Sequence, residues 1–269
     1  MSYIGFLSDL EHEPAVPVQY YLPLDDQRIH LNERIGERIE LRFLGEKACC
    51  ACGRKVKKLF HTGYCYPCFT TLAECDLCIV KPHECHYHLG TCRDNEFAAT
   101  NCMTPHYVYL ALSSGVKVGL TRKSRGQARW IDQGAVQAIP IVEAPTRKLA
   151  GEMEYFISQH IPDKTDWRKM LAGKVEQADL LEIRQQVRAL LPEEYRQYLL
   201  DGQELYEFIY PITETPDKIK SVSFDKQEVV EGRLIGVKGQ YLLLDHAVLN
   251  VKKHTGYKVE VVFADPGAS

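Results

Sequence analysis

The sequence lacks any apolar run of the roughly 18 to 20 residues that are needed to cross a bilayer. Its opening, MSYIGFLSDLEHEP, has neither a basic start nor a continuous apolar stretch, so it does not read as a secretory signal. Repeats at solenoid periods and low-complexity tracts are absent as well. With 45% hydrophobic and 26% charged residues, the 269-residue chain can bury a sizeable core. We expect a cytoplasmic protein of two or three packed units that makes no membrane contact.

An overall excess of basic residues is also lacking, since the formal net charge is -3. The charge is, however, distributed unevenly along the chain. Residues 103–174 carry 11 basic and 6 acidic side chains, whereas residues 175–269 carry 11 and 16. An anionic partner should therefore bind the middle of the chain.

Hydrophobic periodicity predicts β units at both ends of the chain and helices before the second one. Alternating stretches such as RIELRFLG predict a small β unit over residues 1–44. Leucines and isoleucines at helical spacing predict a helical segment over residues 175–217. Alternation returns in EVVEGRLIGV and YKVEVVF, which predicts a carboxy-terminal β unit over residues 218–269.

Nine of the ten cysteines lie between Cys49 and Cys92, within a predicted cysteine-rich head at residues 45–103. Such clustering in a long chain favours metal binding in a reducing compartment over a disulfide framework. Two C-x2-C pairs, twelve residues apart, each form a knuckle that directs two thiolates to one point. Together they predict a structural zinc site. Its ligands are Cys49, Cys52, Cys65 and Cys68.

A second cysteine set follows directly. The simplest interpretation is a second structural zinc bound by Cys75, Cys78, Cys85 and Cys92. More ligands are present than one ion needs: His86 or His88 can replace one sulfur, and Cys102 and His106 lie nearby. An iron–sulfur cluster also uses four thiolates, and it would make the protein a candidate redox sensor.

The segment of residues 104–174 reads as strand, strand, helix, strand, helix. HYVYLAL and VKVGLTR are two apolar strands joined by a Ser-Ser-Gly turn, which is typical of a hairpin. The basic stretch KSRGQARW then leads into a helix, AVQAIPIVEA is a third strand, and a helix begins near Thr146. The predicted order is ββαβα.

This order, together with four short motifs, resembles the GIY-YIG nuclease domain over about residues 104–165. Tyr109 stands at the first tyrosine of that family, and Gly119 is kept in the second motif. Arg129 sits at the helical arginine, and Glu154 occupies the position of the metal-binding glutamate. The whole chain is also similar to a bacterial family of unknown function that joins such a core to a cysteine-rich head. The resemblance implies a multi-domain α+β protein with a GIY-YIG-like core.

The second motif departs from the family because Lys117 replaces its usual tyrosine, and Asp132 or Gln133 lies where many members carry a histidine. Lys117 alternates with Val116 and Val118, so we expect it on the opposite face of the strand from these valines. A lysine there can balance phosphate charge, or it can mark a site that binds without cutting.

Phosphodiester hydrolysis needs an activated water, a cation beside the phosphate and a metal that fixes both. Tyr109 can hold or deprotonate the water, and Arg129 offers a bidentate phosphate contact. Glu154 is an oxygen ligand suited to Mg²⁺ or Mn²⁺, with Glu152 as the competing ligand if the helix phase differs by two residues. Trp130 is expected to pack in the core rather than to stack on a base.

Three basic residues of the loop after the hairpin are candidate phosphate contacts: Arg122, Lys123 and Arg125. The leading hypothesis is a protein that binds DNA or RNA and acts as a divalent-metal-dependent endonuclease. The alternative is a non-catalytic, zinc-containing adaptor that binds protein or RNA.

Overall fold

The computed structural model describes residues 2–162, 164–202, 204–216 and 219–264. The chain forms two compact units: Met1–Phe69 with Phe208–Ser269, and Thr70–Glu207. Both helices and strands are present, so the mixed α+β class is as predicted. Within the described residues, no helix is long and apolar enough to pass through a membrane.

The strands are named in chain order. They are β1 (Ser2–Phe6), β2 (Glu11–Glu13), β3 (Gln19–Leu24), β4 (Gln27–His30), β5 (Arg38–Lys47), β6 (His106–Leu112), β7 (Val116–Arg122), β8 (Gln137–Ala144), β9 (Tyr206–Glu207), β10 (Ser221–Val222), β11 (Val229–Lys238), β12 (Tyr241–Leu244), β13 (Val248–Asn250) and β14 (Tyr257–Phe263). The α-helices are α1 (Tyr66–Thr71), α2 (Leu77–Val80), α3 (Asn95–Asn101), α4 (Gly126–Asp132), α5 (Arg147–Ser158), α6 (Trp167–Leu171), α7 (Leu180–Leu190) and α8 (Glu193–Arg196).

The first unit is built on a seven-stranded sheet in the order β1-β14-β5-β11-β12-β13-β10. β14 reads buried and half-buried in strict alternation, as expected for a strand with one face on the core. β5 lies between β14 and β11, both antiparallel to it. Strands from the two ends of the chain therefore share one sheet. Local periodicity does not reveal this pairing, because the partners lie about two hundred residues apart.

The second unit contains a four-stranded sheet in the order β7-β6-β8-β9, with β6 antiparallel to both neighbours. β6 and β7 are joined by a three-residue turn, and α4, β8 and α5 follow. The ββαβα order predicted for this segment is confirmed. Because cross-strand partners share a sheet face, the pairs Tyr109–Gly119 and Ala111–Lys117 place these four residues on one face.

The other face of this sheet carries the core of the second unit. Val108, Leu110 and Val118 pack there with Met153 of α5 and Val187 of α7. α5 begins at a Thr146 cap, whose side chain accepts a hydrogen bond from the Leu149 N–H. α7 ends just before Pro192, at which a helix cannot readily continue. Lys117 thus lies on the opposite face of the sheet from Val118, as predicted. Its side chain is nevertheless buried, with 5% of the surface of the residue exposed.

Candidate functional site

The first cysteine set is gathered as the spacing predicts. The four sulfurs of Cys49, Cys52, Cys65 and Cys68 lie within 4.8 Å of one another. The Sγ atoms of Cys52 and Cys65 are 3.8 Å apart. A tetrahedral zinc with Zn–S bonds of about 2.3 Å requires sulfur pairs about 3.8 Å apart. The group therefore has the dimensions of a zinc site.

Two tight turns bring these cysteines together. The first lies in a hairpin in which the Gly53 N–H donates to the Cys49 carbonyl at 2.9 Å. Gly53 has φ +68°, in the left-handed region that glycine adopts without strain. The second turn reverses between Phe60 and Tyr64, which exchange two backbone hydrogen bonds. There Gly63 has φ +117°, and α1 then carries Cys68.

The thiols of this group differ in acidity. Burial raises the pKa of Cys49, but hydrogen bonds from the backbone N–H groups of Cys65, Cys52 and Ala51 outweigh it and lower the pKa to about 6. The pKa of Cys68 is raised, first by its hydrogen bond with Cys65. Four crowded thiolates repel one another, so a bound divalent cation is what allows all of them to ionise.

In the second cysteine region, ligand atoms of Asp76, Cys78 and His86 lie within 4.8 Å of one another. Asp76 already has structural contacts. It caps α2 by accepting from the Cys78 N–H at 3.3 Å, and it pairs with Arg93 at 2.8 Å. The pKa of Asp76 is lowered because this hydrogen bond and the positive charges nearby outweigh the effect of burial. We interpret this trio as a capped helix start rather than as a complete metal site.

Four thiols of this region line one small cavity of about 20 Å³: Cys78, Cys85, Cys92 and Cys102. Among the described residues that line it, Cys75 is absent, although the sequence predicts Cys75 as a ligand. Cys102 takes part although its spacing from the other three does not single it out. Burial, together with the negative charge of Asp76 and Cys85, raises the pKa of Cys78 to about 12.

The histidines near this set have other contacts. His86 Nδ1 lies 2.7 Å from Thr91 Oγ1, and His88 Nδ1 lies 3.2 Å from Lys148 Nζ. His106 is fully buried, and its Nδ1 lies 2.6 Å from the Thr104 carbonyl oxygen. Burial lowers the pKa of His106 to about 4, and the charges of Arg147 and Arg122 act in the same direction.

Tyr109 is the centre of the second candidate site. Its ring is fully buried on β6, and its hydroxyl donates to Gln133 Oε1 at 2.9 Å. A Cβ added at Gly119, its cross-strand partner, would lie 2.6 Å from the Tyr109 oxygen. Glycine is therefore required opposite this tyrosine. Trp130 packs edge-on against Tyr109 and is 1% exposed, which confirms that it belongs to the core.

Arg129 and Glu154 both act on the Tyr109 hydroxyl. Burial raises the pKa of Tyr109 to about 12, the charge of Arg129 opposes this rise, and the charge of Glu154 adds to it. Glu152 acts instead on Tyr195, whose pKa is raised mainly by burial. Of these two glutamates of α5, Glu154 is therefore the one whose charge acts on Tyr109.

Arg147, at the start of α5, is a residue that the sequence interpretation missed. Its Nη2 donates to the Ile79 carbonyl at 2.7 Å, and its backbone N–H donates to the Cys102 carbonyl at 2.8 Å. The pKa of Arg147 is lowered, because the effect of burial outweighs the negative charges of Cys102, Cys78 and Glu154, which act to raise it. Arg147 thus hydrogen-bonds to the second cysteine region, while the charge of Glu154 also acts on it. A basic residue at the first position of a helix is unfavourable, because the N-terminal end of the helix dipole is positive. This unfavourable position is the feature of the sequence that could have drawn attention to Arg147.

The three candidate phosphate contacts have partners within the protein. Arg122 Nη1 donates to Asn101 Oδ1, and Lys123 Nζ donates to both oxygens of Glu143 at 2.9 Å. Arg125 lies 3.8 Å from an Asp132 oxygen and keeps 57% of its side chain exposed. To contact a phosphate, Lys123 has to exchange its carboxylate partner.

The fold and the first cysteine group define a mixed α+β protein with a four-cysteine cluster suited to a metal ion such as zinc. The chain belongs to the family described as "Protein of unknown function (DUF2797)", which matches residues 36–259. No curated protein and no solved structure matches the chain. Membership of a family of unknown function, with a cysteine-rich head, is as predicted. The relationship to GIY-YIG nucleases stays a prediction.

Proposed function

We propose that the unit Thr70–Glu207 binds nucleic acid and hydrolyses phosphodiester bonds with one divalent ion. The observation that carries the proposal is that the charges of Arg129 and Glu154 both act on the buried Tyr109 hydroxyl. These residues come from a strand and two different helices, so it is the fold that brings their charges within electrostatic range of Tyr109. They are also the three positions that the resemblance assigns to such a site.

The chemistry of the donors fits a magnesium or manganese ion. Glu154 is half-buried and offers one carboxylate, and Mg²⁺ is commonly held by one or two carboxylates together with water. Such an ion would stabilise negative charge on the phosphate. Arg129 is exposed at the same place, so its guanidinium can contact a phosphate from solvent.

Tyr109 has the role of a donor in this proposal, not of a base. With a pKa of about 12 its hydroxyl stays protonated at neutral pH, because burial disfavours the phenolate. It can therefore orient Arg129 or a water by hydrogen bonding. Lys117 lies on the same sheet face, at the position where the family usually has a second tyrosine.

Two neighbouring glutamates of α5 provide a matched test. We expect Glu154→Gln to reduce Mg²⁺- or Mn²⁺-dependent cleavage of mixed DNA and RNA by about a hundredfold to a thousandfold, equivalent to about 3 to 4 kcal/mol of barrier. Glu152→Gln, also half-buried and two residues away, should leave cleavage unchanged. Arg129→Ala should match Glu154→Gln. If the wild type cleaves neither DNA nor RNA with either metal, the nuclease proposal fails.

One observation favours the non-catalytic alternative, in which the chain is an adaptor for protein or RNA. Tyr109 is fully buried and already donates to Gln133, so its hydroxyl is not open to solvent. An adaptor would bind its partner equally well with or without divalent ions. Binding that persists in Glu154→Gln, without cleavage by the wild type, would support this reading.

A further inference from the structure

Four cysteines of the second cysteine region line one small cavity, and they reach it from separate short segments. Cys78 lies in α2, and Cys85 follows a helical turn that begins at Pro82. Cys92 lies in the loop before α3, and Cys102 is the residue at which α3 ends. Cysteines that come from four segments to line one cavity form an arrangement typical of a structural metal site.

We propose that Cys78, Cys85, Cys92 and Cys102 bind a single structural zinc ion. In this ligand set Cys102 takes the place of Cys75, which the C-x2-C spacing favours. Cys75 is buried, but among the described residues it does not line the cavity, whereas Cys102 does. The proposal does not depend on nuclease activity.

The volume of the cavity fits one ion. It is about 20 Å³, and a cavity needs about 10 to 15 Å³ to hold one water molecule. The cavity therefore has room for one atom of that size, whereas an iron–sulfur cluster contains several iron and sulfide atoms. A zinc ion that is bound by four sulfurs carries no water, so it needs no further space.

The four thiols lie within electrostatic range of one another. The charges of Cys85 and Cys102 act on Cys78, and the charges of Cys85 and Cys92 act on Cys102. Thiolates that are buried close together repel one another, and a divalent cation between them offsets this repulsion. A zinc ion would therefore stabilise the set in its ionised form.

The surroundings of the cavity suit a closed structural site. Ile79, Phe97 and Ala98 line it together with the four cysteines, and apolar side chains limit the access of water to a metal. Asp76 also lines the cavity, but its carboxylate is paired with Arg93 at 2.8 Å and caps the start of α2. Four sulfur ligands complete a tetrahedral zinc site without this carboxylate.

The ion has to draw the four sulfurs together. In the described part of the chain, the groups whose ligand atoms all lie within 4.8 Å of one another are the first four cysteines and the trio Asp76, Cys78 and His86. A cysteine sulfur moves when its side chain rotates between staggered rotamers, without a change in the backbone. Metal binding is commonly coupled to folding in this way. Zinc should therefore raise the stability of this region when it binds.

The zinc site would support α5. The Cys102 carbonyl accepts a hydrogen bond from the Arg147 N–H at 2.8 Å, and the Arg147 side chain donates to the Ile79 carbonyl at 2.7 Å. Further along α5, a Cβ added at Gly151 would lie 2.5 Å from Pro82. The segments that carry the proposed ligands therefore contact α5, so loss of the ion should loosen this helix and lower the melting temperature.

The first experiment uses the wild-type chain. Elemental analysis should find two zinc ions per chain, one at each cysteine group. When Co²⁺ replaces zinc, the intensity of the sulfur-to-cobalt charge-transfer band should correspond to four thiolates for each of two cobalt ions. A wild-type chain that holds one zinc ion, with none left in Cys52→Ser, would overturn the second site. Iron with acid-labile sulfide in place of the second zinc would overturn it as well.

Two cysteine variants test the ligand set. Cys102→Ser should keep only one of the two zinc ions, whereas Cys75→Ser should keep both, although both residues are buried. Cys92→Ser, at a half-buried position, should lose the same ion as Cys102→Ser.

A serine in a buried site can impair folding, so circular dichroism of each variant must show a folded chain. Cys75→Ala and Cys102→Ala provide a second pair, because a buried cysteine behaves as a small apolar residue that alanine resembles. Loss of the second zinc ion from a folded Cys75 variant, or its retention in a folded Cys102 variant, would overturn the proposed ligands.

Discussion

Tyr109 and His106 lie three residues apart on β6. Burial shifts the pKa of each side chain in the direction that favours its uncharged form. For Tyr109 the pKa rises to about 12, and for His106 it falls to about 4. At neutral pH the Tyr109 hydroxyl is therefore protonated and the His106 ring is neutral. The charges of Arg129 and Glu154 act on Tyr109, and those of Arg147 and Arg122 act on His106. Cation and carboxylate chemistry is therefore what this site offers.

The shift of His106 predicts a dependence of stability on pH. In the unfolded chain the ring has its ordinary pKa of 6.5, whereas in the folded chain the pKa is about 4. Below pH 6.5 the unfolded state binds a proton that the folded state does not. The free energy of unfolding should therefore fall as the pH decreases from 6.5 to 4, by up to about 3 kcal/mol.

Urea unfolding at pH 7 and pH 5 measures this effect. In His106→Asn the amide nitrogen can keep the contact with the Thr104 carbonyl but cannot titrate, so the difference between the two pH values should shrink. Arg147 and Arg122 face the ring and stay charged throughout, so they do not alter the sign. Equal pH dependence in wild type and variant would show that His106 does not carry the effect.

At the scale of elements, the two cysteine regions have different geometries. The first is made by two turns whose glycines have positive φ, so the knuckles are fixed locally. The second needs α2, α3 and the start of α5 to be in place together, because Cys102 reaches the cavity only from the end of α3. The first site can thus be deduced from spacing, whereas the second depends on how short helices pack.

For the first region, we expect Cys52→Ser to lose about one zinc ion per chain, since a four-coordinate structural site tolerates no missing ligand. The melting temperature should fall in the same variant. Cys50→Ser is the matched control. Cys50 is also exposed and lies two residues before Cys52, but it is not one of the four cysteines whose sulfurs lie within 4.8 Å of one another. Elemental analysis of both proteins decides the matter. A zinc content in Cys52→Ser equal to that of the wild type would contradict the assignment.

At the scale of the whole molecule, the net charge of -3 conceals a basic middle segment. If that segment binds nucleic acid, affinity should fall steeply with salt, because each phosphate contact releases counterions. Arg125→Ala should reduce the slope of log K against log salt by about 0.9. Glu143→Gln should raise affinity, because it frees Lys123 from its carboxylate partner.

Filter binding or fluorescence anisotropy over a salt series measures both changes. Lys226→Ala, an exposed lysine of the other unit, is the control that should leave the slope unchanged. Affinity that is indifferent to salt would argue against phosphate contacts and for the protein-binding adaptor.

The sequence by itself determined the elements that depend on near neighbours. The alternation of β14, the Ser-Ser-Gly turn between β6 and β7, and the spacing of the first four cysteines are local patterns with local causes. The candidate positions Tyr109, Arg129 and Glu154 were likewise identified, through a resemblance carried by short motifs. The electrostatic effect of Arg129 and Glu154 on Tyr109 could not be deduced from those motifs.

Tertiary structure decided the features that join distant segments. The pairing of β1 with β14, the burial of Lys117, and the presence of Cys102 but not Cys75 in the lining of the small cavity all depend on which surfaces pack together. A sheet partner or a cavity wall can come from anywhere in the chain, and periodicity does not record which one is chosen. The phase of α5 was also decided in this way: Met153 is buried against the sheet, and of the two flanking glutamates it is Glu154 whose charge acts on Tyr109.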